Sequence, residues 1–135
     1  GIEFVVDGRG DVLAQLRAIT GAGDLPTTVF DATGNPASMQ NSFGYVAQGG
    51  QLVFVGLVQG EISFNDSEFH RRETTLKSTR NATAQDFDRV LAALAEKTIH
   101  VDPWITHHAS PEEMLGRFES WTKPETGVVK AMLDF

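Results

Sequence analysis

Two stretches of the sequence bring small residues to the end of an apolar run, where a ligand could lie against backbone. In Thr28-Val29-Phe30-Asp31-Ala32-Thr33-Gly34-Asn35-Pro36, Val29 and Phe30 supply β-branched and aromatic strand residues, and Thr33 and Gly34 remove bulk where the run ends. Asn35 followed by Pro36 is an N-cap and N1 pair that opens a helix. Gln51-Leu52-Val53-Phe54-Val55-Gly56-Leu57 repeats the pattern. Ligands of open α/β sheets bind at the carboxyl ends of strands, so two successive strands ending this way point to a cofactor cleft. On their own, Gly34, Gly56 and the paired Gly49-Gly50 serve equally as turn and cap residues of any α/β protein.

Other reactive groups are sparse. The chain has no cysteine, which removes disulfides, thiol nucleophiles and Cys-ligated zinc from it. His70, His100, His107 and His108 follow no recognised ligand spacing, and the adjacent pair would point to opposite faces of an extended segment. We therefore expect no metal site within this chain and a hydrogen-bonded structural role for His107. Arg9-Gly10-Asp11 matches an adhesion tripeptide, but Asp11 is better explained as a helix cap. Asn65-Asp66-Ser67 and Asn81-Ala82-Thr83 fit the N-glycosylation pattern, which matters only in a secreted protein.

The formal net charge of −7 opposes attraction to phosphate backbones, and no segment concentrates Lys and Arg among aromatics, so nucleic acid is not an expected partner. No apolar run reaches the length of a bilayer span, and the first residues carry no signal-like segment. A soluble, cytoplasmic protein without membrane partners is the expectation. Its 135 residues suffice for one domain with a real core.

The elements that must position the two small-residue turns follow from periodicity. Ile2 to Val6 reads as a strand, and Asp11 caps a helix carrying Val12, Leu13, Leu16 and Ile19 that stops at Gly21. A strand from Thr27 to Ala32, a helix from Pro36 to Gln48 burying Met39, Phe43 and Val46, and a strand from Gln51 to Gly56 complete a βαβαβ order. Glu61-Ile62-Ser63-Phe64 alternates like a half-buried strand and Thr74 to Thr79 reads as another, with no helix evident between them. Thr83 and Asp86 make a capping box for a helix with Phe87, Val90, Leu91 and Leu94 on one face. Ser110-Pro111-Glu112-Glu113 starts another helix, striped with Met114, Leu115, Phe118 and Trp121, and Gly127 to Phe135 reads as a terminal strand.

The succession Val29 to Gly34, then Gly50 to Leu57, then Thr75-Leu76-Lys77-Ser78-Thr79-Arg80-Asn81-Ala82-Thr83, resembles the zinc-type medium-chain alcohol and polyol dehydrogenases. Ile105-Thr106-His107, the helix beginning at Ser110 and Gly127 to Leu133 are similar in order and spacing to that family's carboxyl-terminal portion. The family's glycine-rich fingerprint, the acidic residue ending its second strand and its zinc-holding amino-terminal domain have no counterpart here. Ile2 to Val6 resembles the third Rossmann strand, so the resemblance implies the carboxyl-terminal fragment of a longer enzyme. In a sheet of order 3-2-1-4-5-6 that strand is parted from the fourth by two strands. It would then pair directly with Thr28 to Ala32, leave its gap to another chain, or await residues not recorded here.

The implied fold is α/β, the second half of a doubly wound parallel Rossmann sheet over residues 1–98, followed by a strand-helix-strand segment over 99–135 that returns to the catalytic domain. The resemblance implies that Ala32, Thr33 and Gly34 lie along a bound NAD or NADP. It sets Val55, Gly56 and Leu57, with Thr79 and Asn81, beside its nicotinamide and Lys130 near its pyrophosphate. The implied activity is that of an oxidoreductase moving hydride between a small alcohol or polyol and the cofactor, with zinc held by ligands outside this chain. The chain alone would be inactive and bind cofactor weakly, because it lacks the glycine turn and helix terminus that grip pyrophosphate. A zinc-independent quinone or enoyl reductase of the same superfamily is one alternative, and a non-catalytic oligomerisation or ligand-binding module another. The apolar edge residues Ile62 and Phe64 add a homodimer formed edge to edge through strand 61–64.

Overall fold

Parallel pairing of three short strands organises the amino-terminal half of the chain. The computed structural model describes residues 2–21 and 23–135, in two compact units, Gly1–Asn81 and Ala82–Phe135. In the first unit β1 (Thr28–Asp31), β2 (Gln51–Phe54) and β3 (Thr75–Ser78) lie in that order, all parallel. Thr28 faces Gln51, which faces Thr75, and Asp31 faces Phe54, which faces Ser78, so all three strands end on one line. Central β2 carries the core: Leu52 is fully buried and Val53 nearly so, joined by Val46, Met39 and Leu25. Each such side chain contributes roughly 1.5–3 kcal/mol of transfer free energy.

The helices begin where the cap residues put them. α1 (Val12–Thr20) opens with the Asp11 carboxylate accepting from the Ala14 amide at 3.0 Å and closes on Gly21 at φ 73°. α2 (Pro36–Ser42) opens with Asn35 Oδ1 accepting from the Ala37 and Ser38 amides. It is shorter than the stretch to Gln48 that periodicity suggests, because after a 3₁₀ turn at Phe43–Tyr45 the Ala47 amide donates to the Pro26 carbonyl at 2.9 Å, drawing the chain toward β2. A Cβ on Gly50 would come within 2.7 Å of the Thr27 carbonyl oxygen, so only glycine fits where the chain enters β2.

Three readings of the first unit are corrected. Ile2 to Val6 forms no strand: β1 pairs only with β2, and the segment, with Ile2 and Val5 almost fully exposed, has no ladder to join. Direct pairing with Thr28 to Ala32 is thereby excluded for the described chain. Glu61 to Phe64 also forms no strand, because Phe64 stacks on Phe43 at 4.6 Å and against Phe69 at 5.0 Å, which holds the segment on an aromatic cluster. A helix does follow it, α3 (Asp66–Arg71), capped by Asn65 Oδ1 accepting from the Glu68 amide at 3.0 Å. Its six residues are too few to show a helical period in the sequence.

In the second unit α4 (Ala84–Ala95) starts with the Thr83 and Asp86 capping box. β4 (Ile105–Ala109), α5 (Pro111–Trp121) and β5 (Lys130–Leu133) form a βαβ unit whose strands are parallel, with a register shift between Ile105 and His107. Ser110 and Glu113 form a second capping box. The apolar stripes of both helices are left largely exposed, including Phe87, Leu91, Leu115 and Phe118. The core expected from chain length is accordingly small among the described residues. No described helix is long and apolar enough to cross a membrane.

Candidate cofactor cleft

The carboxyl end of β1 is built around Asp31, a carboxylate only 5% exposed. Its Oδ1 accepts from the Thr33 amide at 3.0 Å and the Thr33 hydroxyl at 2.7 Å, and its Oδ2 accepts from the Ser38 hydroxyl at 2.7 Å. Burial pushes the Asp31 carboxyl up, but the hydrogen bonds from Ser38 and Thr33 together hold it below the ordinary aspartate range. Thr33 Oγ1 in turn accepts from the Asn35 amide at 3.1 Å, linking the carboxylate to the cap of α2.

The Asp31 carbonyl oxygen accepts from both the Val55 amide at 2.8 Å and the Gly56 amide at 2.9 Å. One residue therefore ties the turn after β1 to the turn after β2. The turns touch: a Cβ on Gly56 would overlap the Gly34 amide nitrogen and lie 3.0 Å from its Cα. Gly34 itself has φ 61°, the left-handed region that glycine adopts without steric cost. Two of the amides that could face a ligand at 55–57 are thus committed within the chain, leaving the carbonyls and the Leu57 amide.

Beside this contact lies an open depression of about 350 Å³ lined by Phe54, Val55, Gly56, Leu57, Ser78, Thr79, Arg80 and Asn81. Five residues singled out from sequence, Val55, Gly56, Leu57, Thr79 and Asn81, share it. The Thr79 amide donates to the Phe54 carbonyl at 2.9 Å, which fixes the start of its far wall, and Asn81 adopts φ 63°. Thr33 lines a separate concavity with Val6, Val12, Asn35, Ser38 and Tyr45. Ala32 and Gly34 form the ridge next to Gly56. Asp31 and Ser38 were not assigned a role from sequence; an Asp ending a strand with Thr two positions on and Ser seven positions on is the signal they leave.

Lys130 belongs to the second unit, at the exposed start of β5, where its carbonyl accepts from the Thr106 hydroxyl at 3.3 Å. With Val101, Trp104, Ile105, Val129 and Met132 it borders an apolar recess of about 370 Å³. His107 lies on β4 with its Nδ1 2.9 Å from Thr106 Oγ1 and its ring edge-on to Trp121, while His108 faces Asp134 at 3.2 Å. The two rings occupy alternate faces of the strand, as their adjacency dictates.

The chain is 40% identical over 125 residues to L-galactonate-5-dehydrogenase of Escherichia coli strain K12, a match covering 93% of this chain and 36% of that protein. It is 26% identical over 119 residues to L-arabinitol 4-dehydrogenase of Aureobasidium melanogenum, covering 87% of this chain and 32% of that protein. The chain thus spans about a third of the length of these relatives. Among solved structures, a protein described as short chain alcohol dehydrogenase from Escherichia coli CFT073, complexed with NADH, superposes with a TM-score of 0.81 at 18% identity. That match covers 100% of this chain and 39% of that one. At that identity the likeness speaks for the fold, which is the Rossmann-like α/β arrangement of alcohol dehydrogenases. The sequence pattern of the zinc-binding dehydrogenase family matches residues 1–96, and the chain belongs to that family.

Proposed function

We propose that the whole protein is an NAD- or NADP-dependent dehydrogenase of small alcohols or polyols, working in the cytoplasm, and that this chain supplies one wall of its cofactor cleft. The observation that carries the reading is the depression at the ends of β2 and β3, set against the touching turns at Gly34 and Gly56. It is large enough for a nicotinamide ring, and the polar residues Ser78, Thr79 and Asn81 in its lining offer partners to the donors and acceptors of a carboxamide. When bound, the nicotinamide supplies the hydride acceptor for the carbinol carbon, while the hydroxyl proton leaves and a carbonyl forms.

The residues of this chain bind and orient. Val55, Gly56 and Leu57 present backbone to one edge of the ring, Thr79 and Asn81 face it across the depression, and Ala32, Thr33 and Gly34 run along the ribose side. Lys130 serves the pyrophosphate, where a cation offsets phosphate charge. We assign zinc, which belongs to the family's name, to ligands outside this chain. Residues 1–98 then belong to the cofactor domain and 99–135 return toward the catalytic domain. The relative 40% identical to the chain directs the substrate search to polyhydroxylated acids such as L-galactonate. The assembly we propose is a homodimer whose contact includes segment 61–64.

Titration of the whole protein with NADH and NADPH, followed by fluorescence, tests the reading. Thr79→Ala and Lys130→Ala are each expected to weaken binding about tenfold, the effect of losing a hydrogen bond to a polar or charged group. Unchanged affinity in both variants would contradict it.

A further inference from the structure

Asp31 is an unusual residue to bury. Its carboxylate is almost inaccessible, and the groups that set its titration are hydroxyls and an amide, with no cation among them. A buried charge without an ionic partner is costly unless its oxygens are well supplied with donors. Thr33 and Ser38 supply three, at 3.0, 2.7 and 2.7 Å. An asparagine would complete an ordinary turn at Thr33, yet it could not offer Ser38 a second charged acceptor. The carbonyl of the same residue accepts from Val55 and Gly56. Side chain and main chain of one residue therefore hold two different strand-end turns, and these turns touch through Gly34 and Gly56.

We propose that Asp31 is a positioning residue for the cofactor: by anchoring turns 32–34 and 55–57 together it sets where the backbone of Val55, Gly56 and Leu57 meets the nicotinamide. The proposal rests on the cofactor reading given above. Asp31 does not touch the ligand. Its carboxylate acts through Thr33, which passes the connection on to the Asn35 amide and the start of α2, and so fixes the turn against which its own carbonyl holds the two amides of the second turn. Ser38 is the outer member of the same set, locking Oδ2 from the first turn of α2.

The test uses the whole protein carrying Asp31→Asn, Asp31→Ala or Ser38→Ala. NADH and NADPH affinities are read by fluorescence, KM for NAD⁺ or NADP⁺ and for L-galactonate by initial rates, and folding by thermal unfolding. Asp31→Asn is expected to raise KM for the nucleotide about tenfold, equivalent to about 1.4 kcal/mol, with KM for L-galactonate unchanged. Asp31→Ala is expected to raise it further, and Ser38→Ala to raise it severalfold. Should the Asp31 variants not fold, Ser38→Ala, which removes a single hydrogen bond, decides the matter by the same criterion. Folded variants that bind nucleotide as the wild type does overturn the positioning role. So do variants whose two KM values rise in parallel as stability falls. A wild-type protein that binds neither NADH nor NADPH overturns the cofactor reading, and the role of Asp31 with it.

Discussion

Gly56 lies so close to Gly34 that a Cβ on Gly56 would overlap the Gly34 amide nitrogen, whereas a Cβ on Gly34 would meet only the Leu57 carbonyl oxygen, at 3.4 Å. The two turns that sequence singles out as ligand-facing are thus one structural piece. Space requires glycine at 56, where the Asp31 carbonyl holds the Val55 and Gly56 amides against the first turn, and the left-handed φ of 61° favours glycine at 34.

The asymmetry of that contact is testable. Gly34→Ala strains a backbone at φ 61° and is expected to cost about 1–2 kcal/mol of stability. Gly56→Ala drives a methyl into backbone that cannot rotate away, and we expect a larger loss, at or above the roughly 1–3 kcal/mol of overpacking, together with loss of NADH binding. Urea denaturation of the two variants of the whole protein, compared side by side, checks the order.

Asp31 gives the pH dependence a sign. Its pKa in the folded chain lies below the ordinary value, so its contribution to stability is present above the unfolded value of about 3.9 and is lost as pH falls through the folded value. Acid titration of the wild type should therefore show a loss of stability below about pH 4 that is shallower in Asp31→Asn. Equal acid profiles would show that the carboxylate is not held by Thr33 and Ser38 in solution.

The caps of the second unit make a separate prediction. Thr83 Oγ1 accepts from the Asp86 amide while the Asp86 carboxylate accepts from the Thr83 amide and hydroxyl, and these bonds hold the Asp86 carboxyl below its ordinary range. Thr83→Ala should destabilise α4 by about 1 kcal/mol, measured by denaturant unfolding or by faster amide exchange in its first turn.

The starts of α1, α2, α4 and α5 are legible in the sequence, because Asp11, Asn35, Thr83 and Ser110 act through bonds two or three residues away; that of α3 is not, although Asn65 caps it in the same way, because its six residues are too few to show a helical period. The three parallel strands were legible for the same local reasons. Ile2 to Val6 and Glu61 to Phe64 were not, since a strand exists only when another lies beside it, and period-2 alternation carries no information about the neighbour. At the cleft, sequence brings out the small residues that leave room, Gly34 and Gly56. It does not reveal that Val55 and Gly56 spend their amides on Asp31, a contact across 24 and 25 residues that only the register of β1 and β2 creates.

The isolated 135-residue chain should neither turn over alcohols nor bind NADH at micromolar concentration, because it contains no glycine-rich pyrophosphate turn. Sedimentation of the whole protein should give a dimer, and Ile62→Asp should shift it toward monomer. A monomer at micromolar concentration in the wild type would remove segment 61–64 from the assembly.

The most direct test of the central claim is the rate at which the whole protein reduces NAD⁺ or NADP⁺ in the presence of L-galactonate, L-arabinitol and simple alcohols, followed by the absorbance of the reduced nicotinamide. The account predicts turnover with at least one of these substrates, lost or severely impaired in Gly56→Ala. Absence of nicotinamide reduction with every polyol and alcohol, in a folded whole protein loaded with zinc, would contradict it.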